Sequence, residues 1–252
     1  MHVELFGQPI ICPSLKDSAL GTEVLFRMGG ADLEDQVSPL EYLNSMNGFL
    51  MPLFMDATVI GILLAGDTTA VTGNIFLNVC PETLTSQPAF DSWLAGVREL
   101  CARHPADVVI EIPEQCGMEF GELVRRLNSI ASAGARLALD DYPGGSLTED
   151  HLSSYPWDYV KVCREACRQK GISLELAIKA VKRLRPNATI IGERFTRKET
   201  AWTSLRFGVS GFQSFELGRP APLQLRPYRY RRNLEVHESA VSINHLVSQV
   251  RK

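Results

Sequence analysis

A chain of 252 residues with 45% hydrophobic content can bury one large core, and a single α/β domain of barrel size fits that length. The formal net charge of −3 and the pI near 6.0 give no general attraction to nucleic acid or to an anionic membrane. The amino terminus lacks a basic segment followed by an apolar core, and the longest wholly apolar run, residues 59–66, is far shorter than a membrane span of about 20 residues. We therefore expect a soluble cytoplasmic protein that contacts neither DNA nor a membrane.

Elements with strand and helix patterns alternate along the chain. Strands are predicted at residues 3–6, 10–12, 20–27, 74–79, 107–112, 136–140, 157–162, 188–192 and 209–213, and helices at residues 39–46, 52–65, 90–103, 120–133, 173–184 and 200–207. This alternation, with nearly continuous apolar strands, indicates a parallel sheet covered by helices. Eight or so strands in about 220 residues favour a closed barrel over an open sheet. The doubly wound alternative normally has a glycine-rich phosphate turn after its first strand, and none is visible.

The six cysteines could form three disulfides by count alone. Most of them lie in apolar strand-like or helix-like segments, which favours reduced and largely buried thiols in a cytosolic protein. No second cysteine or histidine pair stands at the spacing of a zinc site beside Cys163 and Cys167, which are four residues apart. The six are Cys12, Cys80, Cys101, Cys116, Cys163 and Cys167.

Two adjacent carboxylates follow the apolar strand at residues 136–139. Asp140 and Asp141 stand between this strand and a turn that Pro143 and two glycines would open. Each negative charge disfavours ionisation of the other at the end of an apolar strand, so a positive charge should lie beside them. A divalent cation, or a pair of cations bridged by one carboxylate, would supply it. An Asp-Asp helix cap or a solvated turn is the structural alternative.

Polar residues end most of the other predicted strands as well. Because the carboxyl ends of parallel barrel strands meet at one mouth, these residues and Asp141 should share a pocket. Oxygen ligands suit Mg²⁺ or Mn²⁺ before Zn²⁺, and two such ions would clamp a phosphodiester and its attacking water. Taken singly, Asn78 could be a strand-end turn, Lys161 a surface charge and Gln213 a loop amide. The set is Glu23, Asn78, Glu111, Asp140, Lys161, Glu193 and Gln213.

From about residue 3 to residue 223, an ordered series of motifs resembles the EAL-domain family of cyclic-di-GMP phosphodiesterases. The resemblance implies a modified TIM-type (β/α)8 barrel with one antiparallel strand, and hydrolysis of cyclic di-GMP to linear pGpG. The series is Gln8-Pro9-Ile10, Glu23-Val24-Leu25-Phe26-Arg27, Asn78-Val79-Cys80, Glu111-Ile112-Pro113-Glu114, Asp140-Asp141-Tyr142, Lys161, Glu193 and Gln213-Ser214-Phe215-Glu216-Leu217-Gly218-Arg219-Pro220.

The same resemblance assigns roles to individual residues. Two cations, Mg²⁺ or Mn²⁺, are implied, with Asp140 bridging them. The first is held by Glu23, Asn78, Glu111 and Asp140, and the second by Asp140, Asp141 and Glu193. Lys161 and Glu193 are the implied catalytic residues, Lys161 because it orients or deprotonates the attacking water. Substrate contacts are implied for Gln8, Leu25, Arg27, Gln213, Arg219 and Pro220, and Glu114 supports the loop after the paired aspartates.

The chain departs from the family pattern at four places. Glu23-Val24-Leu25 replaces Glu-Ala-Leu. The loop at residues 142–145 reads Tyr-Pro-Gly-Gly instead of Phe-Gly-Thr-Gly, so Pro143 fixes φ where a flexible glycine is usual. Residues 193–196 read Glu-Arg-Phe-Thr instead of Glu-Gly-Val-Glu, which loses a glutamate at Thr196. Cys163 replaces an aspartate. No implied direct metal ligand is missing.

A second hypothesis follows from the altered loop. The chain could be a catalytically weak or inactive member of the family that serves as a cyclic-di-GMP receptor or a protein-binding regulator, although the intact metal set argues against this. Because the barrel fills nearly the whole chain, regulation would come through expression, a homodimer or a regulatory protein partner. Under either hypothesis the expected domain is the barrel at residues 1–225.

Residues 226–252 carry six basic and two acidic residues, with Tyr228 and Tyr230 between arginines. This pattern could indicate nucleic-acid binding, but so short a patch is more typical of a solvated linker. Apolar residues at helical spacing follow at residues 236–250. We expect a basic linker and then an amphipathic helix that docks on the barrel or on a second subunit.

Overall fold

The computed structural model describes residues 2–13, 18–29, 50–113, 117–144 and 149–227. The strands are β1 (His2–Cys12), β2 (Ser18–Gly29), β3 (Gly66–Asp67), β4 (Asn74–Asn78), β5 (Val108–Ile112), β6 (Arg136–Tyr142), β7 (Tyr159–Cys163), β8 (Thr189–Glu193), β9 (Gly211–Gln213), β10 (Ala221–Pro222) and β11 (Arg226–Pro227). The helices are α1 (Leu50–Ala65), α2 (Pro81–Thr85), α3 (Gln87–Arg103), α4 (Phe120–Ser132), α5 (Glu149–Ser154), α6 (Arg164–Gln169), α7 (Leu174–Leu184) and α8 (Arg197–Phe207), with a 3₁₀ turn at Thr68–Ala70. The helices expected at residues 39–46 and 236–250 lie outside the described residues.

Eight strands close into a barrel. Their order is β1-β2-β4-β5-β6-β7-β8-β9, and β9 pairs back to β1 through Ile11 and Phe212. The strand β1 is antiparallel to both of its neighbours, whereas every other pairing around the barrel is parallel. The predicted modified TIM-type barrel with one antiparallel strand is therefore confirmed.

The prediction of two short strands near the amino terminus is wrong, because residues 2–12 form one strand. Gly7 and Pro9 indicated a break in the sequence. In the structure β2 pairs with β1 along its whole length, from His2 opposite Gly29 onward, with a register shift after Ile10. Continuous pairing with a long antiparallel partner therefore outweighs the local preference of a glycine and a proline.

Two apolar clusters build the core. The larger cluster lies between the sheet and the surrounding helices, and α3 contributes Trp93, Val97 and Leu100 to it. The smaller cluster fills the inside of the barrel, where the ring centroids of Phe76 and Tyr159 are 5.2 Å apart. Its buried members are Ile10, Phe76, Val109, Ala138, Tyr159 and Ile191. The polar residues inside the barrel pack on this inner cluster, whose members we call the floor residues.

The three short helices α2, α5 and α6 do not appear among the predicted elements, because five or six residues give too little periodicity to recognise. At the carboxyl end of the described chain, β11 pairs antiparallel with β3. No helix within the described ranges is both long enough and apolar enough to cross a membrane. Among the described cysteines, Cys12, Cys80, Cys101, Cys163 and Cys167, there is no disulfide, and Cys116 lies outside the described residues.

Candidate metal and active site

The alternation of side chains along each strand positions the site. Residues two apart on a strand point to the same face, so the residue two positions after a floor residue also points into the barrel, nearer its carboxyl end. On each of five strands, a residue of the inner cluster is followed two positions later by a polar residue. The pairs are Phe76 and Asn78, Val109 and Glu111, Ala138 and Asp140, Tyr159 and Lys161, and Ile191 and Glu193.

Lys161 lies at the centre of this polar layer. Its side chain is 1% exposed, and Nζ lies 2.8 Å from Oε1 of Glu111, 3.0 Å from Oδ1 of Asp140 and 3.0 Å from Oε1 of Glu193. Oε2 of Glu23 is 3.7 Å away. The interpretation of Lys161 as a surface charge is therefore wrong, because one ammonium group contacts carboxylates from four strands.

A second network joins the carboxylate of Glu23 to three amide side chains. Asn78 donates a hydrogen bond of 2.7 Å from Nδ2 to Oε1, and Gln213 donates from Nε2 to Oε2. The same Nε2 lies 3.1 Å from Oε1 of Gln8, whose own Nε2 donates to the backbone carbonyl of Gly218. These bonds fix Glu23 with both oxygens at the barrel mouth.

Burial and charge act in opposite directions on the pKa values of this site. Burial alone would raise the pKa of Glu23, but Lys161 and the amides of Gln213 and Asn78 hold it below its ordinary value. Burial raises the pKa of Glu111 well above its usual range, and the charge of Glu23 raises it further. Burial also raises the pKa of Glu193 to about 8. Without a further cation, the site therefore binds protons among its carboxylates.

Burial raises the pKa of Asp140 as well, against the lowering effect of Lys161. For Lys161, burial and the neighbouring charges act on the pKa in the opposite directions. Burial would lower it, but the charges of Asp140, Glu111, Glu193 and Glu23 raise it well above its ordinary value. Lys161 therefore keeps its proton while these carboxylates surround it.

Asp141 reaches the same region by a departure from regular strand geometry. Two consecutive strand residues would point to opposite faces, but Asp141 has a φ of 51°, in the left-handed region, and the pairing of β6 with β7 shifts register between Leu139 and Tyr142. The N–H of Gly144 donates to the carbonyl of Asp141 at 2.7 Å, which closes the turn. Neighbouring aspartates can therefore both serve one site.

Cys163 joins Asp141 and Glu193 in a cluster that the sequence did not predict. One carboxylate oxygen of each acid and the sulfur of Cys163 all lie within 4.8 Å of one another. The thiol is 3% exposed, and burial raises its pKa to about 12. Its position two residues after Lys161 on β7 was the available signal, because that spacing gives both side chains the same face.

Two of the sequence departures lie beside this cluster. Arg194, where the family pattern has glycine, has a φ of 58° and donates its backbone N–H to the carbonyl of Gln213 at 2.8 Å. Partial burial would lower the pKa of its guanidinium, but the neighbouring thiol of Cys163 and the carboxylates of Asp141 and Glu193 raise it. Thr196, where a glutamate is usual, is the N-cap of α8 and forms a capping box with Glu199.

Asp56 supports the end of β4 from outside the barrel. Its carboxylate is 5% exposed and accepts a hydrogen bond of 2.8 Å from the backbone N–H of Cys80, which precedes α2. Burial raises the pKa of Asp56 to about 6. The sequence reasoning missed this residue, because an aspartate within an apolar helix pattern gives no sign of its partner on a distant loop.

The other residues that the resemblance assigns to substrate contact or loop support, here called the outer residues, are less closely connected to the polar layer. Leu25 and Arg27 continue the face of Glu23 along β2 and are half-buried, and Arg27 donates to the carbonyl of Phe26 at 2.8 Å. Arg219 is exposed, with its guanidinium 5.7 Å from the ring centre of Phe215, and Pro220 is half-buried. Glu114 lies outside the described residues.

The polar layer fits a divalent cation. Oε2 of Glu111 and Oε2 of Glu193 are buried and lack a hydrogen-bond partner in the part of the chain that the structure describes. Five carboxylates and one ammonium give the layer a formal charge of −4 with every group ionised. Buried acids without such compensation are costly, and oxygen ligands are those that hard cations prefer.

A separate cleft of 360 Å³ opens at the amino ends of the strands, lined by Asp107, Arg136, Trp157, Asp158 and Arg185 among others. Arg136 lies there between Asp107 at 3.6 Å and Asp158 at 3.2 Å. In barrels of this type the amino-terminal face supports stability and the carboxyl-terminal face carries the chemistry. We therefore assign the functional site to the polar layer.

The fold and this layer define an α/β-barrel protein with an acidic polar layer at the carboxyl ends of its strands. A family model for the EAL domain matches residues 2–213. The chain therefore belongs to the EAL domain family.

One relative is named "Probable cyclic di-GMP phosphodiesterase PdeN", from Escherichia coli (strain K12). It is 28% identical over 157 residues, which cover 58% of this chain and 29% of the relative. The chain thus matches less than a third of the length of that protein.

Solved structures share the fold at lower identity. YkuI of Bacillus subtilis, with an EAL domain and in complex with substrate c-di-GMP and calcium, has a TM-score of 0.70 at 22% identity, covering 89% of this chain and 57% of the other. The manganese and cyclic-di-GMP complex of Klebsiella pneumoniae BlrP1 has a TM-score of 0.69 at 22% identity, covering 88% of this chain and 57% of the other. At such identities the likeness shows the fold.

Proposed function

We propose that this chain is a metal-dependent phosphodiesterase that hydrolyses cyclic di-GMP to linear pGpG. Membership of the EAL domain family supports the proposal, as does the name of the Escherichia coli relative. Two structural neighbours that bind cyclic di-GMP together with manganese or calcium support both the substrate and the need for a divalent cation.

The observation that carries the proposal is the convergence of carboxylates from separate strands around Lys161. A site with a formal charge of −4 would repel a phosphodiester, which is itself an anion. Two divalent cations would cancel that charge, and two is the number that the resemblance implies. The acidity of the site therefore supports a metal-dependent reaction on an anionic substrate.

The proposed ligands of the two cations are those that the family resemblance implies. Glu23, Asn78, Glu111 and Asp140 would hold one Mg²⁺ or Mn²⁺, and Asp140, Asp141 and Glu193 would hold the other. When bound, such cations stabilise developing charge on a phosphodiester and lower the pKa of a bound water from 15.7 towards about 7.

The protein groups orient the reactants. Lys161 contacts Glu111, Asp140 and Glu193 at 2.8–3.0 Å, so its amine is held at the centre of the site, where it would orient or deprotonate the attacking water, as the resemblance implies. Gln213 and Gln8 fix the position of Glu23 from the opposite side.

The outer residues would contact the substrate. Glu23, Leu25 and Arg27 share one face of β2, and Arg27 lies about 13 Å further along the strand than Glu23 at about 3.3 Å per residue. An extended dinucleotide can span that length. Arg27 and Arg219 would contact its phosphates, and Pro220 and Leu25 would contact its bases.

The test is incubation of the purified chain with cyclic di-GMP in Mg²⁺, in Mn²⁺ and in a chelator, with chromatographic separation of the products. We expect pGpG with either metal and none with the chelator. Glu23→Gln and Lys161→Met should abolish turnover, whereas Lys179→Met, at a lysine whose side chain is 57% exposed, should retain it. Wild-type rates in the first two variants would contradict the site assignment.

The altered loop supports a second candidate, a receptor that binds cyclic di-GMP without turnover. Pro143 restricts the backbone between Asp141 and Gly144, whose N–H closes the turn. Replacing Pro143 with Gly and Gly144 with Thr together should raise the rate if this loop limits catalysis. Metal-dependent binding with no product in either form would favour the receptor.

The proposal also includes a cytoplasmic location, homodimerisation and a regulatory protein partner. It includes as well the division into a barrel at residues 1–225 and, at residues 226–252, a basic linker followed by an amphipathic helix. Light scattering of the chain with and without residues 228–252 would test homodimerisation and the docking of the carboxyl-terminal segment together. A dimer that dissociates on truncation is the result expected if the carboxyl-terminal helix docks on a second subunit.

A further inference from the structure

We propose that the second cation position of this chain is a mixed sulfur and oxygen site, in which Cys163 is a direct ligand and Zn²⁺ is preferred over Mg²⁺. The inference rests on the proposed function only for the assignment of Asp141 and Glu193 to a cation. It concerns which cation these residues select.

The three candidate ligands lie on adjacent strands. Asp141 is on β6, Cys163 ends β7 and Glu193 ends β8, and the parallel pairing of β7 with β8 sets Cys163 directly beside Glu193. Their ligand atoms lie within 4.8 Å of one another. In a tetrahedral site with metal–ligand distances of about 2.0–2.3 Å, ligands are separated by about 3.3–3.8 Å, so small side-chain rotations would bring all three atoms onto one ion.

The cluster also contains an oxygen that lacks a partner. Lys161 lies 3.0 Å from Oε1 of Glu193, whose other oxygen, Oε2, is buried without a hydrogen-bond partner among the described residues. The thiol of Cys163 is 3% exposed and its side chain hydrogen-bonds to Asp141. A cation bound here would satisfy Glu193 and would take the place of the thiol proton.

A sulfur ligand changes which ion the site selects. Mg²⁺ prefers oxygen ligands and near-octahedral geometry, whereas Zn²⁺ binds cysteine thiolate together with carboxylate in four-coordinate sites. On binding, the S–H proton of Cys163 passes to solvent and a metal–sulfur bond forms, with no change of oxidation state. The carboxylates of Asp141 and Glu193, together with the bridging Asp140, complete four protein ligands, the number that a tetrahedral Zn²⁺ site requires.

The experiment uses cobalt as a spectroscopic probe for the zinc site. The full chain is stripped of metal, reduced with a phosphine that does not bind metals, and titrated with Co²⁺ while its absorption spectrum is recorded. We expect a sulfur-to-cobalt charge-transfer band in the wild-type protein. Zn²⁺ should displace the band, and Mg²⁺ in large excess should not.

Variants assign the band to one thiol. Cys163→Ser and Cys163→Asp should lose it, whereas Cys167→Ser should keep it, since Cys167 is equally buried but lies outside the cluster. Cys163→Asp should also lower the preference for Zn²⁺ over Mg²⁺ by at least about tenfold, because residues that only support a ligand already change metal affinity by that factor. If neither variant folds, X-ray absorption of the zinc-loaded wild type should show a sulfur at about 2.3 Å.

The outcomes separate the two proposals. Cobalt binding without a charge-transfer band, or a band that persists in Cys163→Ser, overturns the sulfur ligand and leaves the proposed phosphodiesterase untouched. If neither Co²⁺ nor Mn²⁺ binds the wild-type chain at all, both the ligand assignment and the metal-dependent function fail.

Discussion

Replacing Lys161 with methionine tests the electrostatic organisation of the site directly. Methionine preserves most of the length and packing of the side chain but removes the ammonium that contacts Glu111, Asp140 and Glu193 at 2.8–3.0 Å. Removing one partner of a buried ion pair costs about 3–5 kcal/mol, because the remaining charge is left uncompensated. We expect a loss of that size at pH 8 in the presence of a chelator.

The pKa shifts predict how this loss depends on pH and on metal. Glu193, with a pKa of about 8, and Glu111 can bind protons when the ammonium is absent, so the cost should shrink as the pH falls from 8 to 6. A divalent cation should also offset it, because a ligand at one hundred times its Kd adds about 2.7 kcal/mol of stability. Mn²⁺ should therefore raise the Tm of Lys161→Met more than that of the wild type, in which Lys161 competes for the same oxygens.

The assay is thermal unfolding of the wild type, Lys161→Met and the exposed control Lys179→Met, with chelator and with Mn²⁺. A loss of 3–5 kcal/mol corresponds to a fall in Tm of roughly 6–20 °C for a chain of this size. An unchanged Tm for Lys161→Met in chelator at pH 8 would refute the view that Lys161 neutralises buried carboxylates. If Mn²⁺ raised the Tm of Lys161→Met by no more than it raises that of the wild type, the proposed competition between Lys161 and the cation would be refuted.

Three further predictions concern residues around the site. Relative to the wild type, Asp56→Asn should gain about 2–3 kcal/mol of unfolding free energy from pH 4 to pH 8, most of it by pH 6. Burial raises the pKa of Asp56 from 3.8 to about 6, so the wild type loses stability as the pH rises between these two values. Urea unfolding at both pH values measures this, and a constant difference would contradict it. Arg194→Gly should be at least as stable as the wild type in urea, since a φ of 58° costs a non-glycine residue roughly 1 kcal/mol, whereas Arg194→Val should be less stable. Thr196→Ala should lower the unfolding free energy by about 1 kcal/mol through loss of the N-cap, with Thr196→Ser as the control that retains it; equal stability of the two variants would show that the cap contributes nothing.

The sequence was sufficient to predict the barrel and the convergence of its polar residues, because both follow from local rules. Alternation along a strand assigns faces, and parallel strands bring their carboxyl ends together. It was not sufficient for the contacts of Lys161, which depend on how four strands are staggered around the closed barrel. The sequence predicted Asp141 in the pocket but not the backbone geometry that brings it there, which is a left-handed φ and a register shift in β6.

The departures from the family pattern are concentrated on one side of the site. Glu23, Asn78 and Glu111, which are proposed to hold the first cation, match the family pattern, and Glu23 is fixed by amide hydrogen bonds. The changed residues Cys163 and Arg194 lie instead beside the second set, where a sulfur and a guanidinium replace the family's aspartate and glycine. Because each change alters the charge or the softness of the second set alone, the two positions should differ in their metal preference. Titrating the chain with several divalent cations in turn should then show two binding steps. The order of affinity among the cations should differ between the two steps.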